Sequence, residues 1–78
     1  MKAVKVLGPG CARCAATADL VRSEAARLGV EAKIEKVTDY AEIAKFGIAS
    51  TPGVAIDGKV VHAGGVPTRE AVEAWLKA

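Results

Sequence analysis

The chain has 78 residues and a formal net charge of +2, from 11 Lys and Arg residues and 9 Asp and Glu residues. This length allows one small domain, so we predict a single domain over residues 1–78 and expect a monomer. Hydrophobic residues make up 51% of the chain, which excludes intrinsic disorder. Basic and acidic residues are interspersed, so the sequence predicts no surface for nucleic acid.

The apolar run near the N-terminus is short. It ends at Leu7, and it is too short for the core of a signal peptide or for a membrane span. We therefore expect a cytoplasmic protein with no membrane partner. Thiols are kept reduced in the cytoplasm, where cysteine pairs are more often catalytic or metal-binding than structural.

The first predicted elements are a strand and a long helix. Residues 3–7 are typical of a β-strand, which ends in Gly8-Pro9-Gly10. Over residues 11–28 apolar side chains recur at three- and four-residue steps, the spacing of one helix face, and Gly29 ends the helix. The face predicted to be buried contains Cys14, Ala18, Val21, Ala25 and Leu28, whereas Arg13, Glu24 and Arg27 are predicted to point away from it.

A second strand and a short helix follow. Over residues 30–37 the even positions are apolar except for Lys36, which predicts a strand parallel to the first. Thr38 and Asp39 are both suitable N-caps for a short helix, in which Tyr40 and Ile43 are predicted to face inward.

A hairpin and a last helix complete the chain. The β-prone residues 54–56 and 60–62 are joined through Asp57-Gly58, a strong two-residue turn signal, and His62 is predicted to be exposed. Thr68 can cap a final helix with Trp75 in its buried stripe. The predicted order is βαβαββα, an α/β fold with helices on the faces of a mixed sheet.

Cys11-Ala12-Arg13-Cys14 opens the long helix and carries the predicted chemistry. The unpaired N–H groups and macrodipole at a helix start stabilise a thiolate, and Arg13 adds a cation, so we expect a lowered pKa for Cys11. Cys14 belongs to the buried face. We therefore predict that Cys11 attacks a substrate disulfide and that Cys14 resolves the mixed disulfide. A structural staple is the weaker alternative, since so short a loop contributes only about 2 kcal/mol before strain is subtracted.

Thr51-Pro52 adds a second motif, just before the hairpin. A Cys-x-x-Cys at a strand–helix junction, with a downstream Thr-Pro before a hairpin and a helix, resembles the thioredoxin superfamily. The closest resemblance is to the small archaeal and bacterial thioredoxin-like proteins called redox-active disulfide proteins. The matching segments are Gly8-Pro9-Gly10-Cys11-Ala12-Arg13-Cys14, Lys36-Val37-Thr38-Asp39, Gly47-Ile48-Ala49-Ser50-Thr51-Pro52 and Ile56-Asp57-Gly58-Lys59-Val60, which span essentially the whole chain.

This resemblance implies a three-layer α/β/α sandwich around a four-stranded mixed sheet. It also implies a cis Thr51–Pro52 bond beside the cysteines, with Thr51, Pro52 and Gly10 contacting substrate and the Thr51 backbone pairing with an extended segment in the manner of a strand. The implied activity is that of a thiol–disulfide oxidoreductase. Its partners would be protein disulfides, with a flavin-dependent disulfide reductase or a low-molecular-weight thiol as electron donor. The implied redox group is the Cys11–Cys14 disulfide itself, with no other cofactor and no metal.

Three departures from thioredoxins limit the comparison. Ala-Arg lies between the cysteines, no Trp precedes Cys11, and no counterpart of the buried proton-transferring Asp is identified. The reduction potential is therefore not implied. Gly64-Gly65 resembles the glycine pair by which glutaredoxins hold glutathione, so a glutathione-dependent reductase is an alternative, and a simple turn is another interpretation of the pair.

A soft-metal module is the alternative of a different class. Ferredoxin-like copper chaperones also place Cys-x-x-Cys between a first strand and a first helix, and two thiolates suit Cu(I). Pro9-Gly10 stands here where those proteins normally have Met, and their element order is βαββαβ. Thr51-Pro52 would have no role in such a module.

Overall fold

Seven secondary-structure elements form the fold of this chain. The computed structural model describes residues 2–10, 12–48 and 50–77. The elements are β1 (Lys2–Leu7), α1 (Ala12–Leu28), β2 (Ala32–Val37), α2 (Tyr40–Lys45), β3 (Gly53–Ile56), β4 (Lys59–Ala63) and α3 (Arg69–Lys77). The predicted α/β class and the order βαβαββα are confirmed.

The four strands form one mixed sheet in the order β2-β1-β3-β4. β1 pairs in parallel with β2, whereas the β1–β3 and β3–β4 pairs are antiparallel. Val4 lies at the centre, opposite Ile34 on one side and Ile56 on the other. The parallel β1–β2 pair requires a crossover connection, and α1 provides it.

Helices cover both faces of the sheet, so the architecture has three layers. One buried cluster joins β1 and β3 to α1 and α3, and it consists of Val4, Val21, Ala25, Val54, Val72 and Leu76. The second cluster lies on the opposite face under α2 and consists of Leu7, Ile43 and Ala55. Alternate residues of a strand point to opposite faces, so one strand serves both clusters. No helix in the described part of the chain is long and apolar enough to cross a lipid bilayer.

The short helix α2 differs from its prediction at Tyr40. Asp39 caps the helix by accepting a hydrogen bond from the Ala41 N–H at 2.8 Å, and Ile43 is buried. Tyr40, predicted to face inward, is 72% exposed. The helix has only six residues. Phe46 and Ile48, which follow it, pack against the same cluster as Ile43, so this cluster is covered without Tyr40.

The hairpin places His62 against α3. An irregularity in the β3–β4 register sets Val54 opposite His62 but Ala55 opposite Val60, so β4 carries one extra residue. The His62 ring lies 5.7 Å from the Trp75 ring, and its Nε2 is 2.9 Å from the Gly65 carbonyl oxygen. His62 is therefore half-buried, and its predicted exposure is wrong.

Glu24 of α1 has a buried carboxylate that is linked to α3 through Arg27. Glu24, predicted to point away from the buried face, is only 2% exposed. Its carboxylate accepts two hydrogen bonds from Arg27, at 3.0 and 2.8 Å, and Arg27 also contacts Glu73 of α3. Burial of the charge is tolerated because Arg27 neutralises it with paired hydrogen bonds. Helical spacing alone does not reveal that neutralisation.

We expect Glu24 to make the free energy of unfolding depend on pH in the acid range. The hydrogen bonds from Arg27 hold the pKa of Glu24 below its usual value. Its stabilising contribution is therefore complete above the ordinary Glu pKa of about 4.3, and it is lost as the pH falls through the lower folded-state pKa. We expect Glu24→Gln to be less stable than the parent at neutral pH and to lose less further stability on acidification. Urea unfolding at a series of pH values measures both effects.

The matched control for this prediction is Asp19→Asn on the same helix. Asp19 pairs with Arg22 at 2.9 Å, but both side chains are well exposed, at 75% and 62%. An exposed pair of this kind contributes little to stability. If Glu24→Gln and Asp19→Asn showed the same neutral stability and the same acid dependence, the assigned role of Glu24 would be wrong.

Candidate functional site

The candidate site lies where β1 ends and α1 begins. Leu7 is the last residue of β1, residues 8–10 connect the two elements, and α1 starts at Ala12. Cys11, the predicted nucleophile, lies outside the described residues. The geometry of the site is therefore built on Cys14 and its neighbours.

Cys14 lies in the first turn of α1 and is 5% exposed. Its sulfur packs directly on the backbone of Gly8, so that a Cβ atom at position 8 would overlap Sγ. The same Cβ would lie 3.8 Å from the Pro52 Cα atom. Gly8 therefore lies next to both the sulfur and Pro52, and the absence of a side chain allows the sulfur to approach this closely.

The loop that contains Thr51 and Pro52, called the proline loop below, completes this contact. The Thr51–Pro52 peptide bond is cis, Pro52 is buried and Thr51 is half-buried. The Pro52 carbonyl accepts a hydrogen bond from the Gly64 N–H at 2.9 Å. The structure thus brings together Cys14, Pro52 and Gly64, which are far apart in the sequence.

The glycine pair after β4 is engaged within the fold. The Gly64 N–H is bonded to Pro52, and the Gly65 carbonyl oxygen contacts His62 Nε2. A Cβ at position 64 would come within 3.2 Å of the Ser50 Cβ, so this loop packs closely on the segment before Pro52. The Gly64 N–H therefore holds the proline loop in place, and the Gly65 carbonyl oxygen connects the glycine pair to His62 of β4.

Arg13 and Gly10, the remaining predicted site residues, lie at the surface. The Arg13 side chain is exposed, and its backbone carbonyl accepts a hydrogen bond from the Thr17 hydroxyl at 2.8 Å. Thr17 is fully buried, and its hydroxyl bonds within the first two turns of α1. Gly10 is exposed and has a φ of +89°, a conformation that favours glycine over any other residue.

A small cavity of about 50 Å³ adjoins Cys14. It is lined by Val6, Gly8, Gly10, Cys14, Ala15, Lys36 and Thr38. The sequence interpretation missed three of these positions as parts of the site: Gly8, Lys36 and Thr38. Two signals were present, namely a glycine at the end of the strand before the cysteines and the lysine that interrupts the apolar alternation of β2.

The structure also bears on the metal-binding alternative. The observed order βαβαββα differs from the βαββαβ order of ferredoxin-like copper chaperones.

Comparison with known proteins agrees with this geometry. Residues 2–77 match the family model described as "Thioredoxin domain". The chain is 39% identical over 77 residues to a protein named thioredoxin from Methanocaldococcus jannaschii, which covers 99% of this chain and 88% of the relative. It is 30% identical over 76 residues to a protein named thioredoxin from Methanothermobacter thermautotrophicus, covering 97% of this chain and 99% of the relative. The chain belongs to the thioredoxin family, which supports a general role in thiol–disulfide oxidoreduction.

Proposed function

We propose that this protein exchanges disulfides with other proteins, with Cys11 as the attacking residue and Cys14 as the resolving residue. The observation that carries the proposal is the placement of the Cys14 sulfur, which is shielded in the first turn of α1 and packs on Gly8 beside Pro52. A shielded sulfur is poorly placed to meet a protein substrate. It is well placed to react with a neighbouring cysteine of the same chain.

The proposed reaction has two exchanges. The Cys11 thiolate attacks one sulfur of a substrate disulfide, which forms a mixed disulfide and releases the other substrate sulfur as a thiolate. Cys14 then loses its proton and attacks the Cys11 sulfur. The Cys11–Cys14 disulfide forms and the second substrate thiolate leaves. Two electrons pass from the protein dithiol to the substrate, each released thiolate takes up a proton, and the sequence is reversible.

The start of α1 supports thiolate formation at Cys11. This residue immediately precedes Ala12, the first residue of a 17-residue helix with no acidic side chain in its first turn. The helix macrodipole and unpaired N–H groups favour an anion at that end. Arg13 is exposed, and we propose that its guanidinium further lowers the pKa of Cys11.

The backbone of Thr51 is the proposed contact for an extended substrate segment. Within the part of the chain that the structure describes, no backbone hydrogen bond engages Thr51. Thr51 is half-buried and precedes Pro52, whose Cα lies near Gly8, the residue on which the Cys14 sulfur packs. A substrate strand could therefore pair with its N–H and C=O groups, and Gly10 is the proposed contact on the other side of the site.

The compartment, the oligomeric state and the electron donor are also proposed. We propose a cytoplasmic monomer that receives electrons from a flavin-dependent disulfide reductase or from a low-molecular-weight thiol. Glutathione held by Gly64 and Gly65 ranks second to protein disulfides as a partner. The reason is that the Gly64 N–H and the Gly65 carbonyl oxygen already make hydrogen-bonding contacts within the fold.

Reduction of insulin disulfides with dithiothreitol as the electron source tests the proposal. We expect the parent protein to accelerate insulin reduction above the rate with dithiothreitol alone. The matched control is the double variant Cys11→Ser, Cys14→Ser, which lacks both sulfurs and should give only the dithiothreitol rate. Equal rates for the parent and this double variant would refute the proposed activity.

A further inference from the structure

Lys36 occupies a position where the fold predicts an apolar residue. Alternate residues of β2 face α1, and the first two of these, Ala32 and Ile34, pack on the core beneath that helix. Lys36 is the third, and it lies opposite Val6, which is 1% exposed. The side chain of Lys36 therefore begins on the α1 side of the sheet, at the end of the strand nearest Cys14.

Lys36 and Cys14 line the same cavity. Its volume of about 50 Å³ exceeds the minimum of about 15 Å³ for one water molecule and is far below the roughly 300 Å³ of a ligand pocket. Thr38 contributes a hydroxyl group to its wall. The cavity thus suits hydrogen-bonded water between the Cys14 sulfur and Lys36.

Lys36 is the only charged side chain among the described residues that line this cavity. Within residues 2–10, 12–48 and 50–77, no carboxylate forms an ion pair with it. Lys36 also lines an open groove on the surface, which it shares with Glu35 and Asp39. The Asp39 carboxylate is bonded to the Ala41 N–H.

The other charged groups near Cys14 are few. Arg13 precedes it on α1 and is exposed. Neither Val6 of β1 nor Pro52, which lies next to Gly8, carries a charge. Lys36 is therefore the charged residue of the sheet that shares this cavity with Cys14, and because its exposed side chain also lines the open groove, the cavity lies next to solvent.

We propose that Lys36 is a positioning residue for the second exchange and that its positive charge stabilises the Cys14 thiolate, while the Cys14 proton leaves to solvent through water in the cavity. This inference rests on the proposed function. In the step concerned, Cys14 releases a proton, its sulfur bonds to Cys11 and the substrate leaves as a thiolate. A nearby cation favours the charged form of a thiol. Lys36 would thus promote deprotonation of Cys14 through its charge, whereas the buried Asp of thioredoxins does so by accepting the proton.

Titration of Cys14 in a Cys11→Ser background tests the inference without any substrate. The chain has only two cysteines, so the ultraviolet thiolate absorbance of this variant reports Cys14 once the absorbance change of the Cys11→Ser, Cys14→Ser double variant is subtracted to remove the contribution of the single tyrosine. We expect Lys36→Met to raise the pKa of Cys14 by about one unit. Lys36→Arg, which keeps the charge, should hold the pKa near that of the Cys11→Ser protein.

Lys33→Met is the matched control. Lys33 is an exposed lysine on the same strand, opposite Ala3 and on the other face of the sheet. Its replacement removes the same charge and should leave Cys14 unchanged. The inference is overturned if Lys36→Met leaves the pKa of Cys14 unchanged, or if Lys33→Met shifts it equally. Circular dichroism checks folding of each variant, and Lys36→Gln replaces Lys36→Met in the titration if that variant does not fold.

A kinetic readout complements the titration. A mixed disulfide between Cys11 and thionitrobenzoate, formed on the otherwise unaltered chain, releases its coloured thiol when Cys14 attacks. We expect Lys36→Met to slow this release about threefold at a pH below the Cys14 pKa, because the tenfold lower thiolate fraction is partly offset by the higher nucleophilicity of a more basic thiolate, and Lys33→Met to leave it unchanged. An unchanged rate in Lys36→Met would overturn the inference. Failure of the parent to reduce insulin would instead refute the proposed function, while the Cys14 titration would still stand.

Discussion

Replacement of Cys11 by Ser is expected to abolish disulfide reduction, whereas replacement of Cys14 by Ser is expected to trap the substrate. A serine hydroxyl is not ionised at neutral pH and does not attack a disulfide, so the Cys11→Ser protein has no sulfur that a substrate can reach. Its insulin reductase rate should fall to that of the variant lacking both cysteines.

The Cys14→Ser protein should behave differently because Cys11 can still attack. Without the resolving sulfur, the mixed disulfide persists until an external thiol cleaves it. We expect a covalent adduct with insulin chains in Cys14→Ser, visible as a mass increase that dithiothreitol reverses, and no such adduct in Cys11→Ser. Adducts of equal yield in both variants would show that the two sulfurs do not have the assigned roles.

Among substitutions that add one methyl group to the site, Gly8→Ala is expected to lower the free energy of unfolding most. The new Cβ atom would overlap the Cys14 sulfur. Insertion of a methyl group into a close-packed contact typically costs about 1–3 kcal/mol of unfolding free energy. Displacement of the sulfur should also slow its attack on Cys11. Urea unfolding measures the first effect, and release of thionitrobenzoate from Cys11 measures the second.

A double-mutant cycle with Cys14→Ala isolates the cause. Alanine at position 14 lacks the overlapping sulfur, and its Cβ would lie about 3.4 Å from the new Cβ at position 8, an ordinary contact. Gly8→Ala should therefore cost less stability in the Cys14→Ala background than in the parent, by at least about 0.5 kcal/mol. The same cost in both backgrounds would contradict the packing of the Cys14 sulfur on Gly8.

The order of elements was predictable because the local signals agreed with one another. Helical spacing located α1, and the Asp57-Gly58 signal located the turn of the β3–β4 hairpin. The inward orientation predicted for Tyr40 was wrong because residues that follow the short helix cover the cluster on that face of the sheet. Local spacing does not show this. The exposed position predicted for Glu24 was wrong because its burial depends on Arg27 and on α3, which is distant in the sequence.

The site was predictable in part. The burial of Cys14 followed from its place on the apolar face of α1, and the cis Thr51–Pro52 bond was implied by the family resemblance. The closeness of Gly8 to the sulfur could not be deduced from the sequence, because it depends on how α1 crosses the end of β1. The role inferred for Lys36 depends in the same way on tertiary structure, since its strand neighbour Val6 brings it beside α1.

The most direct test of the account is a redox titration of the Cys11–Cys14 couple in thiol–disulfide buffers of graded potential. Alkylation of the remaining thiols, followed by mass spectrometry, counts the free cysteines in each buffer. The account predicts one reversible two-electron transition, from two alkylated cysteines to none, within a single chain. Its midpoint decides whether the protein reduces or oxidises its partners. If both cysteines remained alkylated at every potential, or if oxidation produced only disulfide-linked dimers, the account would be contradicted.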